Sequence, residues 1–472
     1  MDVATAQTTA RRLPWALIVG SVVVTGFIAV MKLKFFPYPI IDGDTTLLVS
    51  GAHQLTTCLW RGAESCPNIW HFPLLQYLIA IPLYRQSMTP PEVMKFYSLV
   101  SAISFVATLL LGAGFLWWRG RRGAAVFFLL AVISSFAIWH FNATYGESAG
   151  GLLIAAFVVA ALWRRSAVLI GLLAVAAAVT KETTAPFLLA VGVVPLLRET
   201  GPWGARLKND AKHLAAMFVG AGLGVAANTA FNQYRFGAWT NTFLLDPGLQ
   251  VPSLPQHLFH LAGIWFSPNG GLLPYAPLLT VALVGLGIAG WKAKGTQRLA
   301  AVAPLALLVV LTIGFARWFS PFGWWTWGPR LCLPWLPALL IVALDLEGER
   351  LERAAARVLR PLALGVGLAA LLVAASLPHV QMLRDPGAFY GFFSPGRDCP
   401  QLVDVRGPTQ AQFYVCHNAL IFPRYTFMAA TAYGHLNQPE SQAPLLLYMA
   451  LLLGLWCWLR VEVLRVPVVA AT

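Results

Sequence analysis

The chain has 472 residues, 58% of them hydrophobic and only 11% charged, and its mean hydropathy is +0.67. Soluble domains carry roughly 25% charged residues, so this composition excludes a water-soluble globular protein and indicates an integral membrane protein. The net charge of +14 is spread over short Lys and Arg clusters between apolar runs, which points to membrane topology and away from a nucleic-acid partner.

Apolar segments of about 17 to 25 residues recur from end to end, a length that suits spanning helices and not the ten-residue alternation of an outer-membrane barrel. The first run, LPWALIVGSVVVTGFIAVM, follows Arg11 and Arg12. It is long enough to span and lacks a small-residue cleavage site, so it reads as the first spanning helix and not as a signal peptide. Next comes YPIIDGDTTLLVSGAHQL, which sets Asp42 and Asp44 beside a bilayer that disfavours charge. The stretch PNIWHFPLLQYLIAIPLY, Pro67 to Tyr84, is apolar but interrupted by Pro73 and Pro82. It reads as an interfacial helix, because a full span there would move the later basic clusters to the outer side. The fold class expected is an all-α polytopic bundle of about twelve spans. They lie near 13–32, 96–118, 123–140, 149–163, 166–180, 184–197, 213–231, 272–290, 299–315, 331–345, 361–377 and 443–459.

The connections RGRRG, WRRS, RETGPWGARLKNDAKH, WKAKGTQR and EGERLERAAARVLR, with Arg460 and Arg465, then share one face, the inner one by the positive-inside rule. Both termini fall inside. The other face receives three long segments, 33–95, 232–271 and 378–442, within a single transmembrane domain covering 1–472. Cys58 and Cys66 share the first outer loop and Cys399 and Cys416 the last, a distribution that fits two disulfides in an oxidising compartment. No internal repeat and no Gly-rich nucleotide loop is present.

This topology gathers ionisable residues at the outer membrane level, where they are expensive and therefore candidates for function. They are Asp42 and Asp44, His71, then His140, Asn142, Tyr145 and Glu147 in WHFNATYGES, Lys181 and Glu182 in TKET, and Arg235 in NQYRFG. Arg317 and Arg330 bracket RWFSPFGWWTWGPR. Each also has a plainer reading. Asp44 is a good helix N-cap and IDGD an ordinary turn signal. Lys181 can snorkel, His71 and His140 sit beside tryptophans as interfacial hydrogen-bonders, and the aromatic cluster 318–327 suits a membrane-interface belt. The NAT sequon at Asn142 lies too close to the membrane to count. For Arg330 the case is better, since Pro329 fixes the backbone before it and a guanidinium matches phosphate geometry.

The strings IIDGDTTLLVSGAHQL, WHFPLLQYLIAIPLY, TYGESAGGLLIAAFVVAALWRR, AVAAAVTKET, FSPNGGLLPYAPLL and WGPRLCLPWLPALL, in that order over about residues 13–345, resemble the GT-C membrane glycosyltransferases that use polyprenyl-phosphate-linked sugars. The resemblance implies that Asp44, or else Asp42, is the catalytic base and that Lys181 contacts the lipid phosphate. Arg330, Glu147, Tyr145, His71, Arg317 and Arg235 join it as candidate substrate or phosphate ligands. It implies a polyprenyl-phosphate sugar donor and a glycan, glycolipid or protein acceptor at the outer face of a bacterial plasma membrane, and an inverting transfer. No cofactor is required by the pattern, although Asp42 and Asp44 also have the oxygen chemistry for a divalent cation. Two other readings stand beside it: an O-antigen polymerase or ligase type that takes a diphosphate donor, and a lipid or solute transporter, which normally shows repeats or broken helices.

Overall fold

The computed structural model describes residues 15–39, 43–66, 69, 71–85, 89–144, 146–243, 245–251, 253–267, 271–318, 328–384 and 439–465. Asp42, Tyr145, Cys399, Cys416, the aromatic stretch 319–327, the side chain of Asp44 and most of the 378–442 segment lie outside the described residues. Among the described residues the regular elements are helices, and an isolated antiparallel bridge joins Gln250 to Trp318.

Helical backbone falls on each of the twelve expected segments. In chain order the helices are α1 (Trp15–Val30), α2 (Gly43–Trp60), α3 (Leu74–Arg85), α4 (Pro90–Trp118), α5 (Arg122–Ile133), α6 (Glu147–Leu162), α7 (Ala167–Ala178), α8 (Thr184–Gly192), α9 (Val194–Arg198) and α10 (Trp203–Phe236). They continue with α11 (Leu254–Phe266), α12 (Leu272–Tyr275), α13 (Pro277–Lys292), α14 (Gly295–Ala316), α15 (Leu336–Leu359), α16 (Leu362–Arg384) and α17 (Pro439–Leu464). Among the described residues six helices are long and apolar enough to cross a membrane, and a seventh crossing follows if α5 and the 3-10 helix Phe136–Asn142, bent by 67°, count as one. α6, α7, the α8–α9 pair and α13 are shorter apolar helices.

Several helices outrun their apolar segments. α4 begins six residues before the expected start because Thr89 and Glu92 close its first turn: the Thr89 backbone N–H and hydroxyl donate to Glu92 Oε2 at 2.7 and 2.8 Å, with Pro90 and Pro91 entering where no intrahelical donor is needed. α15 runs through the acidic stretch after Leu344 because its acids are held: Asp345 is fully buried against two arginines, and Glu352 accepts the Ala124 N–H at 2.7 Å. α10 ends at Gly237, whose φ of 65° closes the helix in the left-handed conformation.

Packing follows membrane rules. Lipid offers no hydrophobic drive between helices, so close backbone approach has to supply the contact. α7 and α10 meet along small residues. A Cβ at Gly220 would stand 2.3 Å from the Gly171 carbonyl oxygen, and one at Gly224 would stand 2.4 Å from Ala178 Cβ. Large apolar side chains such as Val19, Val22, Phe218, Val219 and Val284 are exposed, as a lipid-facing surface requires. Two apolar cores result. The main one fills the bundle; a smaller one joins Leu48, Val49, Ala52 and Leu55 of α2 to Tyr77 of α3, Val93 and Tyr97 of α4 and Phe231 of α10.

Polar residues separate to two ends. At one end Arg119 Nε meets Asp345 Oδ1 at 3.1 Å, Arg198 pairs with the same carboxylate, and Arg121 donates to Leu344 O at 2.8 Å. There too Arg164 bonds Asp210 at 2.8 Å and pairs with Glu199, Arg206 donates to Glu199 O at 2.8 Å and to Thr296 at 3.2 Å, and Arg460 caps Leu359 O at 3.1 Å. The basic connections thus share one end. Chain connectivity carries Glu147, Lys181, Arg235 and Arg317 to the other.

Candidate active site at the less basic end

Lys181 lies in the two-turn break between α7 and α8, where Thr180 N–H bonds Ala177 O and Thr184 N–H bonds Lys181 O at 3.1 and 3.0 Å. The apolar run ends there, and the chain turns with Lys181 projecting from the corner. Its ammonium sits 5.1 Å from the centre of the Phe315 ring and 5.4 Å from that of Trp335, two rings that stack at 5.5 Å. Ring faces are negative and hold a cation by its charge. Among the described residues the ammonium has no hydrogen bond and no carboxylate within ion-pair distance. Burial pushes the amine below the usual lysine range; Arg330 adds to this, while Glu147 and Glu182 oppose it.

Beside it is the pair Glu147–Arg330, Oε1 to Nε 3.3 Å. Glu147 is the first residue of α6, and Arg330 opens the 3-10 turn Arg330–Cys332. That turn depends on Gly328. Its φ of +72° suits glycine, and a Cβ there would lie 2.4 Å from the Phe136 ring. Among the described residues Glu147 Oε2 and Trp335 Nε1 are buried without a hydrogen-bond partner.

A second group ties the first outer loop to the helix ends. Arg235 is buried; its guanidinium donates to Phe72 O at 2.6 Å and to Asn232 Oδ1 at 2.7 Å, and stands 4.0 Å from Glu182. Asn241 donates to His71 O at 3.1 Å and to Glu182 Oε1 at 3.3 Å. The His71 ring lies flat on Phe243, centroids 4.0 Å apart, and Phe243 reaches Trp318 at 6.1 Å. The Arg317 carbonyl accepts from Val251 N–H at 2.9 Å, while its side chain is exposed. His140 is buried on the 3-10 helix, its carbonyl accepting from the Ser148 hydroxyl at 3.3 Å.

The structure therefore brings Lys181, Glu147 and Arg330 together, and separately joins Glu182, Arg235 and His71. Arg235 bonds the Phe72 carbonyl and the Asn232 side chain. The Asp44 backbone begins α2, which packs on α3; α3 in turn bonds the Lys181 corner through Leu75 N–H and Val179 O at 3.3 Å. Cys58 and Cys66 are joined as a disulfide, and Cys66 N–H bonds Tyr234 O at 3.2 Å, fastening the loop to α10. Among the described residues no three His, Cys, Asp or Glu side chains form a metal-binding group. Sequence reading missed Phe315 and Trp335 as the cradle of Lys181, Asn241 as a bridge, and Lys32, a buried lysine at the end of the first span; Trp335 lay within the quoted WGPRLCLPWLPALL, but its partners come from distant segments.

No family model matches the sequence, and no curated protein does. In three dimensions the chain is similar to the crystal structure of ArnT from Cupriavidus metallidurans bound to undecaprenyl phosphate, at 15% identity and a TM-score of 0.45, covering 96% of this chain and 77% of that one. It is similar in the same way to the apo state of that protein, at 16% identity and a TM-score of 0.45, covering 93% and 76%. Neither superposition assigns a role to a residue here.

Proposed function

We propose that this chain is a multi-pass glycosyltransferase of the GT-C type that transfers a sugar from a polyprenyl-phosphate donor to an acceptor outside the cytoplasm of a bacterium. In this reading the helices make about twelve crossings, the basic end is cytoplasmic with both termini, and α2 and α3 lie along the outer headgroups. The observation that carries it is Lys181: a cation held against two stacked aromatic rings, half-buried, with no carboxylate partner among the described residues. Such a cation calls for an anion presented at membrane depth, and a lipid-linked phosphate is the anion that the bilayer itself delivers. The motif order that resembles the GT-C enzymes supports the same assignment.

In the proposed reaction an acceptor hydroxyl oxygen attacks the anomeric carbon. Asp44, or Asp42, takes the hydroxyl proton, the bond from the anomeric carbon to the phosphate oxygen breaks, and the polyprenyl phosphate leaves with the electron pair. A positioned base contributes about 10²- to 10⁴-fold. Lys181 and Arg330 stabilise the charge that grows on the phosphate, with Glu147 as a further substrate contact. One displacement inverts the anomeric centre. Tyr145 and His71 are assigned to substrate contact, and acceptor choice to the 232–271 and 378–442 loops.

Mass spectrometry of lipid that copurifies with the protein, combined with transfer assays on a panel of polyprenyl-phosphate sugars, tests the reading. Product with an inverted anomer is expected, lost in Asp42→Asn/Asp44→Asn. Intact transfer by that double variant would favour the diphosphate-dependent polymerase or ligase class instead.

A further inference from the structure

α1 does not stop at the membrane boundary as a plain helix. It widens into a π-helical turn, Met31–Phe35, a distortion that inserts a residue and often marks functional positions. The turn swings Lys32 inward, where it is only 7% exposed. Its ammonium donates to Ser98 Oγ on α4, to Asn142 Oδ1 on the 3-10 helix and to Phe36 O at 3.5 Å. Three donors meet three acceptors, all neutral, drawn from three separate parts of the chain.

The network then extends. Ser98 Oγ donates to the same Asn142 oxygen at 3.0 Å, and Asn142 Nδ2 donates to Tyr38 O at 2.8 Å. Backbone on both sides of Pro37 is thereby fixed to one hub, while Phe36 packs edge-on against Phe141 at 6.4 Å. Among the described residues this buried ammonium has no counter-charge, which is costly, and hydrogen bonds only offset that cost. Apolar side chains of similar length would fill the space with less penalty. What they lack is the ability to hold two carbonyls in a stated place.

We propose that Lys32 is a positioning residue: through Asn142 it fixes the segment 36–39, and so the direction in which the chain enters α2 carrying Asp44. This rests on the reading of the Asp42/Asp44 pair as the base. Gly43 follows Tyr38 by five Cα–Cα steps, at most about 18 Å of chain, so displacement of the anchored end is passed to the start of α2. Lys32 touches no reacting atom in this scheme.

Lys32→Met and Asn142→Ala break the hub from opposite sides, and Ser98→Ala loosens it. In transfer assays Lys32→Met and Asn142→Ala are each expected to lower kcat about tenfold or more, leave KM for the donor within about twofold, and be no worse combined than singly. Hydrogen exchange should rise at backbone amides 36–46 and stay unchanged around Lys181. Ser98→Ala should show the same pattern more weakly, and serves if Lys32→Met does not fold. Unchanged exchange at 36–46 in Ser98→Ala and Lys32→Met, or equal losses in kcat and donor affinity, would overturn the proposal. If exchange rises but Asp42→Asn/Asp44→Asn retains transfer, the assignment of the base has failed and the anchoring by Lys32 has not.

Discussion

Replacing Lys181 by Met isolates the cation on which the proposed donor site depends. The methionine stem keeps the apolar contact against Phe315 and Trp335, whose centroids lie 5.1 and 5.4 Å from the lysine ammonium, so folding should be retained. What disappears is a charge-assisted hydrogen bond to phosphate, worth about 1.5–3 kcal/mol. At about 1.4 kcal/mol per decade this corresponds to roughly 10- to 150-fold weaker binding. The assay is binding of undecaprenyl phosphate to purified protein in nanodiscs, followed by native mass spectrometry, alongside donor KM in transfer. Burial pushes the Lys181 amine below the usual lysine range, so its charge is lost as pH rises through a lower value than for an exposed lysine. Binding should therefore weaken toward alkaline pH, and Lys181→Arg, which stays charged, should lose that limb. Binding by Lys181→Met within twofold of the parent protein would refute the assignment of Lys181 to the phosphate.

Gly328→Ala should destabilise by more than the roughly 1–2 kcal/mol of a left-handed alanine, because the added Cβ also meets Phe136 at 2.4 Å; thermal unfolding reads the loss, and transfer should fall with it as Arg330 shifts. Asp345→Ala strips a fully buried carboxylate from Arg119 and Arg198, which remain about a third exposed; solvent screening of those arginines brings the expected cost below the buried-pair range, to about 2–3 kcal/mol, seen as a lower melting temperature without a change in donor KM. Cys58→Ala/Cys66→Ala opens a link that spans 8 residues, a loss of about 2.5 kcal/mol by chain entropy, and should raise hydrogen exchange between residues 58 and 66 while leaving the bundle protected.

The legibility of this molecule differs from residue to residue. α1 and α7 are apolar over their length, and α6 and α14 carry one charge each, in the first turn, so the bilayer requirement alone marks them. α4 starts early because Glu92 closes a local capping box with Thr89, whereas α15 continues into charged sequence because Asp345 finds Arg119 and Arg198; composition cannot report partners that far away in the chain. The same holds at the candidate site. Lys181 and Arg330 stand out as charges at the ends of apolar runs, whereas Arg235 stands out equally and is consumed by Phe72 O and Asn232. Lys32 resembles an ordinary flanking lysine next to Lys34, and only the π-helical turn directs it inward.

Sequence by itself determined that the chain is an all-helical membrane protein, where its apolar helices fall and which connections carry the positive charge, because the solvation of apolar and charged groups is set locally by their order along the chain. Tertiary structure decided which charges are paired and which, among the described residues, meets aromatic rings in place of a carboxylate. Whether Lys181 meets an aromatic face or a carboxylate depends on how α7, α14 and α15 come together in space, and that arrangement is set by packing between segments far apart in the chain.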